Sequence, residues 1–461
     1  MPKIGAPPAP DYSYQEDGIA WLRGLSQLET DPGRGLLADE PGLGKSRQLL
    51  LAAEGRTLVV APGMVIDGGV WHTEHQKWAP ELDLTIAPYS MLNARVKTGT
   101  NASATRPVDQ LRPEYQGHWD TVILDEAHYI KGRKTSWTKA VLQLDADRVF
   151  PATGTPIPNW AYELFTTLQL LNPSEARSGR RLGSYWRWAS QYFQVGATRY
   201  SPMAVGDPID DSPEGWERFY AENLEGRFLQ RLRDDVLADL PPATWQTVLA
   251  PMTPAQKKLY RELKKDYIAW TEEGHEVVAW SSGGLHSKLL KVCTGIEVEL
   301  PDAKPSSGKL DAFEMRVADQ ARPSLVACVF KATARAAAVR AAKVGRSPAV
   351  IDGDTPSRER QRVLRGYESG QFDVLVATIE TVSEGLTLTH ADTVHLIERS
   401  YRPFKNEQVV RRVHRIGQTR PVTILSYVAP GTVDEGVIEL NKAKTDHQMK
   451  VLPARELAAV L

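Results

Sequence analysis

The chain has 461 residues, more than one compact core accommodates, so two or three domains are expected. Charged residues make up 25% and apolar ones 42%, a globular balance that excludes a disordered or fibrous chain. The 56 basic and 57 acidic residues leave a formal charge of -1, which excludes a polybasic coat protein but not a local basic stripe. Two cysteines, Cys293 and Cys328, are too few for a disulfide framework or a cysteine zinc site. The N-terminus lacks the apolar core of a signal peptide, and no apolar run is long enough to span a bilayer. The expectation is a cytoplasmic protein without membrane segment or zinc.

In chain order, the first distinctive segment is Leu36-Leu37-Ala38-Asp39-Glu40-Pro41-Gly42-Leu43-Gly44-Lys45-Ser46, between a short strand and a helix over Ser46–Glu54. Glycines there let backbone N–H groups converge on a phosphate, and the helix N-terminus adds its positive end. Lys45 is placed to reach the β- and γ-phosphates and the Ser46 hydroxyl to ligate Mg²⁺. The general phosphate-loop pattern asks for glycine where Asp39 stands. Apolar strands follow at Thr57–Ala61 and Thr121–Leu124, the second ending in Asp125-Glu126-Ala127-His128. Asp125 is expected to hold Mg²⁺ and Glu126 to polarise the attacking water. A strand at Val149–Pro151 leads into Ala152-Thr153-Gly154-Thr155-Pro156 and a helix over Ala161–Leu171.

Residues 160–240 read as aromatic and basic helical material, with a polar segment at 201–215. Pro241-Pro242 is a candidate hinge, and 254–292 opens on a basic helix through Lys257, Lys258, Arg261, Lys264 and Lys265. Strands at Ser324–Phe330, Ala349–Ile351, Asp373–Ala377, Thr393–Ile397 and Val422–Tyr427 alternate with helices at Thr333–Lys343 and Arg358–Ser369. Strands apolar on both faces and separated by helices predict parallel α/β layers, here in two clusters. The expected domains are 1–238, with a helical addition at about 160–238, and 239–461, with one at about 254–300. Near the end, helical spacing puts Gln408, Arg412 and Arg415 on one face, as arginine fingers for a phosphate bound elsewhere. The pair His72 and His75 lacks a third metal ligand, and Gly308-Lys309 reads as a turn before a helix.

These segments, in this order, resemble the superfamily 2 helicases, and in detail the Snf2 branch. Tyr14-Gln15 matches the adenine-reading element, Asp39–Ser46 motif I, Asp125–His128 with Lys131 motif II, and Thr153–Pro156 motif III. Ser383–Asp392 and Gln408–Gln418 resemble motifs V and VI, the latter ending in the Snf2-type His414-Arg415-Ile416-Gly417-Gln418. The resemblance implies two RecA-like lobes with mainly parallel sheets and ATP with Mg²⁺ between them. Its nucleotide contacts fall on Tyr14, Gln15, Asp39, Gly42, Leu43, Gly44, Lys45, Ser46 and Gly385, and its metal site on Ser46 and Asp125. Lys45, Glu126, Gln408, Arg412 and Arg415 carry the chemistry, while His128, Thr153, Gly154 and Thr155 couple it to movement. Double-stranded or forked DNA is the implied substrate, with Lys131, Arg180, Arg181, Lys257, Lys258 and Arg360 as contacts. Thr387 and Glu398 lean toward the annealing-helicase branch. Protein partners would supply targeting, and histones are not indicated. A duplex translocase is expected in a bacterial or phage-infected cell; the alternatives are a strand-separating helicase and an ATP-gated DNA-binding switch.

Overall fold

The computed structural model describes residues 13–451, apart from 98–104, 199–200, 237–239, 267, 271–275, 279–281, 383–387 and 416. It divides into two compact units, Met1–Ala238 and Asp239–Asp446, with the chain from His447 onward grouped with the first. That last assignment departs from a second domain running to the C-terminus. The cause is aromatic: the His447 ring packs edge-on against Trp160 and Trp216, with centroids 5.3 Å apart in each case.

Each unit is built on one six-stranded, wholly parallel sheet. Numbering only the strands of these two sheets, the first comprises β1 (Leu36–Leu37), β2 (Arg56–Ala61), β3 (Asp83–Pro88), β4 (His118–Asp125), β5 (Asp145–Ala152) and β6 (Phe228–Leu229). Their order is β6-β1-β5-β4-β2-β3. The second comprises β7 (Ala243–Leu249), β8 (Ser324–Cys328), β9 (Pro348–Ile351), β10 (Val374–Thr378), β11 (Thr393–Leu396) and β12 (Val422–Val428), in the order β7-β12-β11-β8-β10-β9. Parallel strands need crossovers, and helices on both faces supply them, which is why Leu58–Ala61, Val122–Leu124 and Leu325–Cys328 are buried throughout. The two α/β layers expected from the sequence are therefore present, and they are parallel.

Order within the first sheet positions the chemistry. Because β5 lies between β1 and β4, the phosphate loop after β1, the Thr153 segment after β5 and the acids closing β4 emerge side by side at the carboxyl edge.

The region 160–238 is less purely helical than its composition suggests. Helices Tyr185–Tyr192 and Pro213–Asn223 flank an antiparallel hairpin, Phe193–Thr198 with Ser201–Pro208. Trp188 is fully buried, surrounded by Phe165, Tyr192, Phe193 and Phe219, and its indole N–H donates to Asn223 Oδ1 at 2.9 Å. The tryptophans here build a core. In the second unit Lys309 does not sit in a mere turn. It opens the helix Gly308–Ala318, capped by Ser307, and is fully buried against Asp434 at 2.7 Å.

Candidate nucleotide site

Gly42 and Gly44 take positive φ, +95° and +77°, so the loop turns back on itself before the helix Lys45–Ala52 begins. A Cβ on Gly44 would lie 2.4 Å from the Gln15 amide. Only glycine therefore admits the element Tyr14-Gln15 this close. The Gln15 amide donates to the Leu43 carbonyl at 3.2 Å, and its Oε1 accepts from Arg47 at 2.9 Å. Lys45 Nζ donates to the carbonyl of Asp39 at 2.6 Å and of Glu40 at 3.3 Å, holding the loop that would wrap a phosphate. Ser46, half-buried, occupies the first turn of that helix.

Asp39 has a different part from the one expected. It is fully buried, and its carboxylate accepts from Arg231 Nε at 2.9 Å, from the Arg231 backbone N–H at 3.1 Å and from Gln48 at 3.1 Å. Arg231 Nη1 donates in turn to the Tyr14 carbonyl. One buried ion pair thus ties the phosphate loop, the first helix and the segment after β6 together, leaving Asp39 without a free oxygen to offer a nucleotide. Two residues on, Arg233 donates to the Pro41 carbonyl at 2.7 Å, while its N–H binds Glu40 Oε2 at 3.0 Å. Sequence reasoning passed over Arg231 and Arg233; the signal was a pair of arginines two apart just after a short apolar strand, near a buried acid without a counter-charge.

Asp125 closes β4. Trp71 Nε1 donates to its Oδ2 at 2.9 Å, the Glu126 N–H to its Oδ1 at 2.9 Å, and Tyr89 OH to its carbonyl at 2.9 Å. Burial, together with the neighbouring Glu126 carboxylate, pushes the Asp125 carboxyl up to about 6 despite those donors. Hard oxygen donors from Asp125 and Ser46, one of them a desolvated acid that a cation would stabilise, fit Mg²⁺.

Glu126 takes φ +49° and ψ +51°, a left-handed conformation that side chains with a Cβ rarely adopt. Strain of this kind costs about 1–3 kcal/mol and concentrates at functional sites. Neighbours hold it there. Glu126 Oε2 lies 3.2 Å from His128 Nδ1 and accepts from Thr153 Oγ1 at 3.3 Å. The same hydroxyl lies 3.1 Å from His128 Nδ1, and the Thr155 N–H donates to it at 3.1 Å. A Cβ on Gly154 would meet Pro41 Cδ at 2.5 Å, so the motif III segment lies directly against the phosphate loop. His128, Thr153 and Thr155 are brought together with Glu126, and Gly154 lies against the phosphate loop.

In the second unit Gln408 is buried on the helix Pro403–Val413, and Arg412 follows on the same helix. Arg415 does not share that face, because the helix stops at Val413 with His414 as its C-cap. Gln418 explains the break. Its amide donates to the carbonyls of Ala391, Thr389 and Val413 at 2.7, 3.2 and 3.2 Å, and its Oε1 accepts the N–H groups of Thr419 and Arg420. Gly417, at φ +98°, makes the turn possible. Arg411 pairs with Glu407 at 3.2 Å. Gly385 and Thr387 lie outside the described residues. Glu398 is buried, accepting from Thr333, Thr294 and the Val329 N–H at 2.6, 2.8 and 2.8 Å.

The proposed DNA contacts divide sharply. Lys257 and Lys258 are exposed on the helix Pro254–Asp266, whose other face buries Gln256, Leu259, Tyr260 and Leu263, and Arg180 is exposed as well. Arg181 is a structural residue instead, bonded to Glu175, Tyr192, Asn223 and the Glu222 carbonyl. Lys131 pairs with Glu163 at 3.1 Å, and Arg360 donates to the Thr355 carbonyl at 3.4 Å.

A phosphate loop, an adjacent acid pair and a coupled hydroxyl at the edge of a parallel sheet, with a second parallel sheet carrying arginines, define a helicase-like ATPase. Residues 14–295 match the SNF2-related domain and residues 309–417 the helicase conserved C-terminal domain, and the chain belongs to this SNF2-related family. It is similar to the TATA-binding protein-associated factor BTAF1 of Arabidopsis thaliana, 25% identical over 96% of this chain and 25% of that protein. It is also similar to the DNA annealing helicase and endonuclease ZRANB3 of Mus musculus, 26% identical over 91% of this chain and 39% of that protein. The chain therefore spans well under half the length of these curated relatives. Among solved structures, the Sulfolobus solfataricus SWI2/SNF2 ATPase core in complex with dsDNA is 22% identical, covering 96% of this chain and 97% of that one, with a TM-score of 0.41.

Proposed function

We propose that the chain is an ATP-driven motor that moves on double-stranded DNA, remodelling it or displacing what is bound there. The observation that carries this reading is the Thr153 hydroxyl, shared between Glu126 and His128, with Gly154 pressed on the phosphate loop. A plain hydrolase has no need to wire its water-activating acid to the chain that leads into a helical addition. A motor does.

In this mechanism Lys45 and the N–H groups of Gly42–Lys45 bind the phosphates. Ser46 and Asp125 would hold Mg²⁺, which would supply charge neutralisation at the transferred phosphoryl group. Glu126, fixed by His128 and Thr153, orients water and accepts its proton. Arg412 and Arg415 serve as the arginine fingers. DNA is the polyanion of choice because the outward face of Pro254–Asp266 carries Lys257, Lys258, Arg261 and Lys264, and backbone contacts of that kind are indifferent to sequence. The mouse relative, a DNA annealing helicase and endonuclease, points the same way.

ATPase rates with duplex, single-stranded and forked DNA test the reading. Stimulation by duplex is expected; a rate that no DNA changes would sink it. Unwinding of a tailed duplex without duplex tracking would favour the strand-separating alternative.

A further inference from the structure

Two acids of the first unit are held in opposite ways. Asp39 is bonded by the Arg231 guanidinium, which cancels its charge. Asp125 is bonded by neutral donors, the Trp71 indole N–H on Oδ2 and the Glu126 backbone N–H on Oδ1, each at 2.9 Å. Among the described residues no lysine, arginine or histidine pairs with it. A carboxylate has about four lone-pair sites, so one donor on each oxygen fixes its orientation and leaves room on both for a further ligand. The charge left over calls for a cation.

Trp71 is the less expected of these donors. It stands in the helix Val70–Trp78, 1% exposed, in the core that includes Val59, Ala61, Ile123 and Phe150. A phenylalanine would bury its ring there too, so packing alone does not call for the N–H. Nor does this N–H take a neighbour in the chain. Trp119 uses a carbonyl four residues away, and Trp78 and Trp216 use carboxylates four and five residues away, whereas Trp71 reaches one 54 residues on.

We propose that Trp71 is a positioning residue of the ATPase: its indole N–H holds the Asp125 carboxylate in the orientation that receives the Mg²⁺ of bound ATP and leaves the full negative charge for the ion. The inference rests on the metal role proposed for Asp125. An indole suits this task in three respects. Its N–H donates and cannot accept, so it determines which group faces it. It carries no charge, so it does not cancel the acid or compete with the cation as a lysine or arginine would. Its ring is locked by burial, and the carboxylate inherits that rigidity, as metal ligands do from outer partners packed in place. Tyr89 OH, bonded to the Asp125 carbonyl at 2.9 Å, already fixes the backbone of the same residue. The side chain is what remains for Trp71 to set.

The test measures binding of a fluorescent, non-hydrolysable ATP analogue to the whole chain, once with Mg²⁺ and once with EDTA. The wild type should bind more tightly with Mg²⁺. Trp71→Phe keeps a ring in the core and removes the N–H, so it should cut that gain by about tenfold or more while the affinity in EDTA stays at the wild-type value. A loss of equal size in both conditions marks a loosened fold and overturns the proposal. Asp125→Asn separates the two layers of the inference. An unchanged gain there overturns the metal role of Asp125 and the role of Trp71 with it. A lost gain in Asp125→Asn beside a full gain in Trp71→Phe overturns the role of Trp71 alone. Should Trp71→Phe fail to fold, indole ¹⁵N NMR of the wild type decides. Mg²⁺ added to the analogue-bound protein should shift an indole N–H signal that stays in place in Asp125→Asn; indole signals that all stay put in the wild type overturn the proposal.

Discussion

At the scale of single residues, the site separates groups that do chemistry from groups that hold them. Glu126 is of the first kind. Glu126→Gln keeps the fold and the contacts to His128 and Thr153 but removes the base, so kcat should fall by about a hundredfold to ten-thousandfold while ATP binding persists. Single-turnover hydrolysis beside nucleotide titration checks it, and near-normal turnover would remove Glu126 from its role. Asp39 and Arg231 are of the second kind. Arg231→Leu leaves a fully buried carboxylate without its cation, an imbalance that costs about 3–5 kcal/mol. Urea unfolding should report that loss in the first unit and recover much of it in Asp39→Asn/Arg231→Leu. An unaltered midpoint in Arg231→Leu would show that the pair does not hold the loop. Cysteine behaviour follows from burial: Cys293 is pushed up to about 12 and Cys328 well above its ordinary value, so neither should react with iodoacetamide until the chain unfolds.

At the scale of elements, the legible parts were those where chemistry and periodicity coincide. The segment Gly42–Ser46 and the strand ending in Asp125-Glu126 announce themselves because glycines, a lysine and paired acids have few other reasons to adjoin apolar strands. The strands β3, β6 and β7 were passed over. Of these, β6 is only two residues long, and β7 is an exposed edge whose alternation carries little apolar signal. The hairpin Phe193–Pro208 hid in a stretch whose aromatic residues read equally well as helical. Arg415 was misplaced because spacing assumes a helix continues, whereas Gln418 ends it by taking the Val413 carbonyl. Elements also carry a pH dependence. His395, on β11, is buried between Tyr427 OH and Gln320, each at 2.9 Å, and burial lowers its pKa from 6.5 to about 3. The unfolded chain binds this proton below pH 6.5 and the folded chain does not. Stability from this group is therefore complete above pH 6.5 and is lost as pH falls toward 3, by about 1.4 kcal/mol per pH unit. Urea midpoints of the second unit should decline more steeply from pH 6.5 to 5 in the wild type than in His395→Asn, and parallel declines would contradict the assignment.

At the scale of the whole molecule, the first unit carries the nucleotide loop and acid pair and the second carries arginines and an exposed basic helix, within a chain of the SNF2-related family. The sequence pattern reached that architecture. What it missed were the buttresses, Arg231, Arg233 and Gln418, because a buried ion pair or amide knot depends on residues far apart in the chain, and spacing does not record which of them meet. The central claim is that ATP hydrolysis drives movement along duplex DNA. Displacement of a third strand from a duplex carrying a triplex block, measured with ATP in the wild type and in Glu126→Gln, tests it most directly. ATP-dependent release is expected from the wild type and none from the variant; an intact triplex under conditions where DNA-stimulated ATP hydrolysis proceeds would contradict movement along the duplex.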